Sequence, residues 1–247
     1  MKRTRVLRSL LILSLIYPLF GLNAQKTDVA KTGARSGAEV ERRINTLVAQ
    51  MTLAEKLGQL QQLDGDSNGT YRAEHPEMAR KGLLGSTLNV RGARITNELQ
   101  RAALESRLKI PIVLGFDVVH GYRTIFPVPL GEAASWDLEL MERTAAIAAA
   151  EARAAGVHWT FAPMLDIARD ARWGRIIEGA GEDTYLGTKI ATARVRGFQG
   201  TDYSAKDRVM ATAKHWVGYG AAEGGRDYNT TDLSERALRE VYFPPFK

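Results

Sequence analysis

Residues 137–166 read DLELMERTAAIAAAEARAAGVHWTFAPMLD, and the way this stretch divides decides the fold. Asp137 is a short acceptor of the kind that caps a helix, and the alanine-rich segment after it runs to Ala155 without a breaker. Gly156 supplies the stop, because glycine tolerates the left-handed conformation in which helices commonly end. The next run, Val157–Leu165 (VHWTFAPML), is short, apolar and bounded, as a buried strand is, and it delivers Asp166 at its far end. Helix, turn, strand and acid is one repeat of an alternating architecture.

The same grammar extends in both directions. Leu83–Val90 (LLGSTLNV), Pro111–Phe116 (PIVLGF) and Val209–Val217 (VMATAKHWV) have strand character. Helical patterns cover Asn97–Leu108 and Thr184–Phe198, the latter ending at Gly200. Another opens at Asp232-Leu-Ser-Glu235 and is closed by Pro244 and Pro245. Upstream, Val40, Ile44, Leu47, Val48 and Met51 recur at helical spacing, and Thr52 with Glu55 forms a capping box for a helix through Leu57 and Leu60. Asp64–Thr70 (DGDSNGT) reads as a solvated turn, since it lacks the later ligands of a calcium loop. Strands apolar on both faces, alternating with helices, call for an α/β fold with a parallel sheet under helices.

The N-terminus belongs to a different physics. Residues 1–24 have a basic start (Lys2, Arg3, Arg5, Arg8), an apolar run from Leu10 to Leu22 broken by Pro18, and a small-residue end at Ala24. That is the pattern of a secretory signal peptide, too short for a transmembrane helix. Residues 25–38 show no periodicity and read as a flexible leader, so the folded unit is expected over 39–247. The net charge of +6 comes mostly from the signal: removing it leaves 30 basic residues against 28 acidic. Nucleic-acid binding thus loses its main support, and no membrane association is expected once the signal is removed. With no cysteine in the chain, stability rests on the core rather than on disulfides. A periplasmic or secreted protein is expected.

In parallel-sheet folds, function collects at the carboxyl ends of the strands. Three successive strands run into charge there: into Asp117, into Asp166, and into Lys214 with His215. Arg175 lies in a charge-dense loop, Met164–Asp183, where Trp173 offers an apolar wall. The glycines of Gly218-Tyr-Gly220-Ala-Ala-Glu-Gly224 resemble a dinucleotide fingerprint, but Glu223 stands where a third glycine is needed and would repel a pyrophosphate. They leave room beside Lys214. No metal-ligand spacing appears among the four histidines, and no cofactor is expected. A carboxylate that accepts, with an ammonium, a guanidinium and an imidazole that donate or share, suits the fixed hydroxyls of a sugar.

The segments MTLAEKLGQL, LGFDVVHGYRTIFP, FAPMLDIARDARWGRIIEGAGED and KHWVGYGAAEGGRDYNTTDLSERALREVYFPPF together resemble the N-terminal catalytic domain of glycoside hydrolase family 3, closest to the bacterial exported β-glucosidases. The resemblance covers roughly Val40 to the last residue. It implies a (β/α)₈ TIM-type barrel, present in part, in which Asp117, Arg175, Lys214 and His215 bind the terminal non-reducing sugar. The family's N-acetylglucosaminidase branch carries a second histidine where this chain has Tyr219, which favours the β-glucosidase-like branch.

The resemblance further implies retaining hydrolysis of terminal β-D-glucosyl residues by the full-length protein. It places the aspartate nucleophile and the acid/base beyond Lys247, on a later strand and in C-terminal domains in cis, so no catalytic residue is assigned in this chain and the piece alone is expected to be inactive. Four strands, where a barrel has eight in about 250 residues, agree with a partial barrel. Competing readings are a non-catalytic sugar-binding protein, a β-xylosidase or glucanase of the same family, a nicotinamide-dependent oxidoreductase and a metal-dependent barrel hydrolase.

Overall fold

The computed structural model describes residues 36–247; the signal reading over 1–24 and the leader reading up to residue 35 lie outside the described residues. Helix α1 (Gly37–Gln50) begins two residues before the expected Glu39, because the Ser36 side chain accepts from the Glu39 amide and starts the helix there. Helix α2 (Leu53–Gln59) carries the full capping box, with Thr52 and Glu55 each bonded to the other's backbone N–H.

Four strands pair in parallel and in chain order: β1 (Gln62–Asp64), β2 (Ser86–Leu88), β3 (Val113–Phe116) and β4 (Trp159–Thr160). Their connections are helical: α3 (His75–Arg80), α4 (Ala93–Leu104), then α5 (Pro129–Ala133) and α6 (Leu138–Ala154). Helix α7 (Thr184–Gln199) follows β4, and the chain ends on α8 (Glu235–Ala237), a π-turn (Leu238–Tyr242) and a 3₁₀ turn (Pro244–Phe246). Among the described residues no helix is long and apolar enough to cross a membrane. This is a partial (β/α)₈-type barrel whose sheet does not close on itself.

Two expectations need correction. Gln62 and Leu63 fall between the expected helix and the expected turn, and Asp64 opens that turn, yet the three form β1 and pair with β2 through Gln62–Ser86, Leu63–Thr87 and Asp64–Leu88. The expected strand Val209–Val217 is a looser ladder, bridged in parallel at Trp159–Met210 and Met164–Lys214. Its amides still alternate with those of residues 158–165, in and beyond β4: Met210 donates to His158, Thr160 to Met210, Thr212 to Ala162, and Leu165 to Lys214. That register sets Lys214 beside Met164.

Two apolar clusters lie beneath the helices. One joins Leu114 of β3, with Leu84, Val90 and Ile112 from the segments flanking β2 and β3, to Leu99, Ala102 and Ala103 of α4. The other joins Val118, Val157 and Val209 to Ala145, Ala148, Ala149 and Ala152 of α6 and to Phe198 of α7. The alanine richness of α6 now has a cause. Those four alanines form one helical face, and at Gly197 of α7 a Cβ would lie 2.3 Å from the Glu142 carbonyl oxygen and 2.6 Å from the Ala145 Cβ. Small residues on both helices let their backbones approach, so Phe198 is fully buried against the sheet; truncating such a ring costs about 3–5 kcal/mol.

Candidate functional site

The loop that carries Asp117 is pinned on three sides. Val118 N–H donates to the buried Thr160 hydroxyl (3.0 Å), His120 exchanges bonds with Phe126, and Arg194 of α7 donates to the Val119 carbonyl. Arg194 also pairs with Glu132 of α5 at 2.5 Å, with only 5% and 3% of the two side chains exposed. This ion pair fastens α5, α7 and the loop together under the rim. Desolvation lowers the Arg194 pKa, and Glu132 opposes it.

Asp117 then meets Lys214 across the rim, Nζ to Oδ1 at 3.0 Å. Lys214 is 15% exposed and Asp117 46%, so the pair is open on the carboxylate side. Burying an unpaired ammonium would cost several kcal/mol; the ladder places this one where a carboxylate answers it. The Lys214–His215 and Trp216–Val217 peptides are cis, as is Ala162–Pro163.

His215 is oriented by Asp166. One oxygen of this buried carboxylate accepts both the His215 amide (3.0 Å) and Nδ1 (2.8 Å). Nδ1 therefore carries a proton, since a carboxylate only accepts. The imidazole meets the Tyr219 ring edge-on at 5.0 Å, and the Arg175 guanidinium lies 5.4 Å above that same ring. Glu178 grips Arg175 through both oxygens, at 2.6 and 2.9 Å, which leaves Nη1 facing the Tyr219 hydroxyl at 3.5 Å. The Arg175 hydrogen bonds hold the Glu178 carboxyl below its usual range, with Lys214 and His215 adding to the effect. Tyr219 is pushed up to about 12 by burial and by its bond to Asp227. Asp117, Lys214, His215 and Arg175 thus share one charge neighbourhood at the carboxyl end of the sheet.

Sequence reasoning placed Asp166 at a strand end without giving it a role, and passed over two further supports: Glu178 beneath Arg175, and Tyr219 between His215 and Arg175. Trp173 is not the expected wall. It is 1% exposed, packs edge-on against Tyr219 at 5.2 Å and donates Nε1–H to Asp227. The room left by the glycines is filled by the chain itself: a Cβ at Gly220 would lie 2.3 Å from the Ile167 carbonyl oxygen. Arg169 pairs with Glu223, and Arg172 with Asp170, as surface charges. Hollows of about 470 and 450 Å³ lie beside Arg208, at the amino end of the Val209–Val217 ladder and away from these heads.

Comparison with known proteins shows the family. The model of the glycosyl hydrolase family 3 N-terminal domain matches residues 52–247. The chain is 40% identical over 205 residues to a periplasmic β-glucosidase of Salmonella typhimurium, covering 83% of this chain and 27% of that protein. It is 36% identical to a β-xylosidase of Formosa agariphila, over 88% of this chain and 27% of the relative. A crystal structure of β-glucosidase from Listeria innocua in complex with glucose superposes with a TM-score of 0.76 at 39% identity, covering 83% of this chain and 31% of that one. The chain therefore spans between a quarter and a third of the length of these proteins.

Proposed function

Because this chain belongs to glycosyl hydrolase family 3, as part of that family's N-terminal domain, we propose that Asp117, Lys214, His215 and Arg175 hold the terminal non-reducing glucosyl ring of a β-glucoside. The observation that carries the reading is the Asp117–Lys214 pair at 3.0 Å, standing beside a histidine and an arginine that meet over one tyrosine. Asp117 accepts from neighbouring hydroxyls, and the Lys214 ammonium keeps two of its three N–H donors for the ring. Arg175, braced by Glu178, presents Nη1. With Asp117 accepting and Lys214 and Arg175 donating beside His215, the set offers both senses of hydrogen bond to one pyranose.

Retaining hydrolysis needs two carboxyl groups about 5 Å apart, one as nucleophile and one as acid/base. The carboxylates around this site have other duties: Asp117 faces Lys214, Asp166 orients His215, and Glu178 braces Arg175. In this reading the chain grips the glycone, while the bond-breaking pair of the whole β-glucosidase is supplied from outside these residues. Export to the periplasm, with cleavage after Ala24, belongs to the same proposal and is read out by N-terminal sequencing of the exported product.

The test is a calorimetric titration with glucose beside an aryl β-glucoside assay. The 247-residue chain is expected to bind glucose and to release no aryl group. Lys214→Ala and Asp117→Asn are each expected to weaken glucose at least about tenfold, the loss of one charge-assisted hydrogen bond. Unchanged affinity in both variants, or turnover by the chain alone, refutes the reading. The likeness to a β-xylosidase supports a second glycone, and xylose in the same titration ranks the two.

A further inference from the structure

The hollow of about 450 Å³ at the amino end of the Val209–Val217 ladder is bounded by Arg153, in the last turn of α6, and by Gln199, which ends α7. Lys214 stands four residues past Met210, about 13 Å along an extended chain, so this is a place apart from the glycone cluster. Among the described residues no carboxylate lines it; its polar lining is Arg153, His158, Gln199, Tyr203 and Arg208. The bonds around these groups leave donors. His158 Nδ1 accepts the Leu114 amide at 3.2 Å, so the ring proton sits on Nε2, the polar atom left to face the hollow. Gln199 spends its carbonyl oxygen on the Ala211 amide at 2.9 Å and keeps its NH₂. Arg208 uses Nη1 on the carboxylate and the carbonyl of Asp207, at 2.9 and 3.1 Å, and keeps Nε and Nη2. The Arg153 side chain has no hydrogen bond or ion pair among the described residues. It lies close enough to His158 to add to the effect of burial in lowering that pKa.

Backbone acceptors at this end are committed as well. The Ala152 and Arg153 carbonyls take the Val157 and Gly156 amides, those of Arg196 and Phe198 take Gly200 and Val209, and those of His158 and Met210 take Met210 and Thr160. Helix C-termini by themselves repel an anion; here their closing carbonyls are spent and two guanidinia lie at the same end. The neighbouring hollow of about 470 Å³ shares Arg208 but is also lined by Glu139, Glu142, Asp202 and Asp207, which answer its arginines. The remaining surface of the 450 Å³ hollow is apolar: Val209, the exposed Met210 and the ring of the exposed Tyr203. Mostly apolar walls with a few converging polar groups are the make-up of a small-molecule site. A neutral ligand would leave the donors unanswered, and a bare inorganic anion would leave the apolar wall uncovered. A carboxylate matches the guanidinium fork.

We propose that this hollow binds a small organic anion, its carboxylate on Arg153, Arg208 and the His158 Nε2–H and its flat apolar body on Tyr203, Val209 and Met210. The site is independent of the glycone reading. It is tested by calorimetric titration of cinnamate, its neutral amide and inorganic phosphate into the 247-residue chain, native and as Arg153→Met and Arg208→Met. Met keeps an apolar stem without the donors, and thermal melting confirms that each variant is folded. Arg153→Met breaks no bond within the described residues, so it carries the test alone if Arg208→Met does not fold. Cinnamate is expected to bind at least about tenfold more tightly than the amide, which lacks the charge, and than phosphate, which lacks the body. Each variant should lose about tenfold in cinnamate affinity and keep the native response to glucose. Equal binding of cinnamate and its amide overturns the proposal, as does phosphate bound as tightly as cinnamate. No cinnamate binding, native cinnamate affinity in the folded variants, or a loss of cinnamate and glucose together overturns it too. A chain that binds cinnamate as expected but no glucose removes the glycone reading and leaves this site standing.

Discussion

Replacing Glu132 and Arg194 separately and then together, as Glu132→Leu, Arg194→Met and the double variant, separates what the buried ion pair does for stability from what it does for the rim. The pair sits at 2.5 Å with 3% and 5% of the side chains exposed, and one Glu132 oxygen has no partner. Either single change strands a charge in the interior, which costs about 3–5 kcal/mol. In a domain of this size that lowers Tm by about 6–20 °C. The double change removes both charges and fills the space with side chains of similar volume, a replacement that is commonly neutral or stabilising. It also leaves the Val119 carbonyl without its Arg194 donor, at about 1–3 kcal/mol. The two effects offset, so the double variant is expected within about 2 kcal/mol of the native chain by urea unfolding. Val119 stands between Asp117 and His120, so glucose affinity should fall in the double variant although stability does not. A double variant whose loss equals the sum of the two singles would refute the argument, because it would mean the charges are not coupled.

Gly220→Ala should lower Tm by the equivalent of about 1–3 kcal/mol, the usual cost of overpacking, because the new Cβ would press on the Ile167 backbone; an unchanged melt contradicts the packing described. Acid should weaken the fold through His158, whose pKa burial drives down to about 4 and whose Nδ1 accepts the Leu114 amide. The folded value lies below the unfolded one of about 6.5. The neutral ring therefore contributes fully above that pH, and the contribution declines toward pH 4 by at most about 1.4 kcal/mol per pH unit. His75 is depressed in the same direction by burial. Urea midpoints that stay level between pH 7.5 and 5 would exclude this linkage, and His158→Gln should flatten part of the slope.

What was legible in the sequence follows the range of the forces involved. Helices α6 and α7 were readable to within a residue or two, because Asp137 and Asp183 bond to amides three residues on, and Gly156 and Gly200 end the segments locally. Helices α3 and α5 were not, since five or six residues are too few to show a period. α4 starts at Ala93, after Gly92 at φ +94°, and stops at Leu104, shifted by four residues from the expected span. β1 has no strand signature of its own; its pairing comes from β2, 24 residues away. At the site, charge at strand ends pointed to Asp117, Lys214 and His215. The burial of Trp173 and the role of Tyr219 depend on Asp227 and the glycine loop, partners up to 54 residues distant, and no local pattern encodes them.

The interleaved amides between β4 and residues 209–217 have a consequence for selectivity. Lys214 and His215 hang from a ladder bonded to residues 158–165, and an Asp166 oxygen also accepts the His215 amide, so their backbone positions are set before any ligand arrives. In the proposed glycone role, a sugar with the right stereochemistry would bind without the entropic penalty of ordering a loop. An epimer with one hydroxyl inverted meets heads that cannot swing to follow it, and leaves at least one buried polar group unanswered. Stiffness in the scaffold becomes discrimination between stereoisomers.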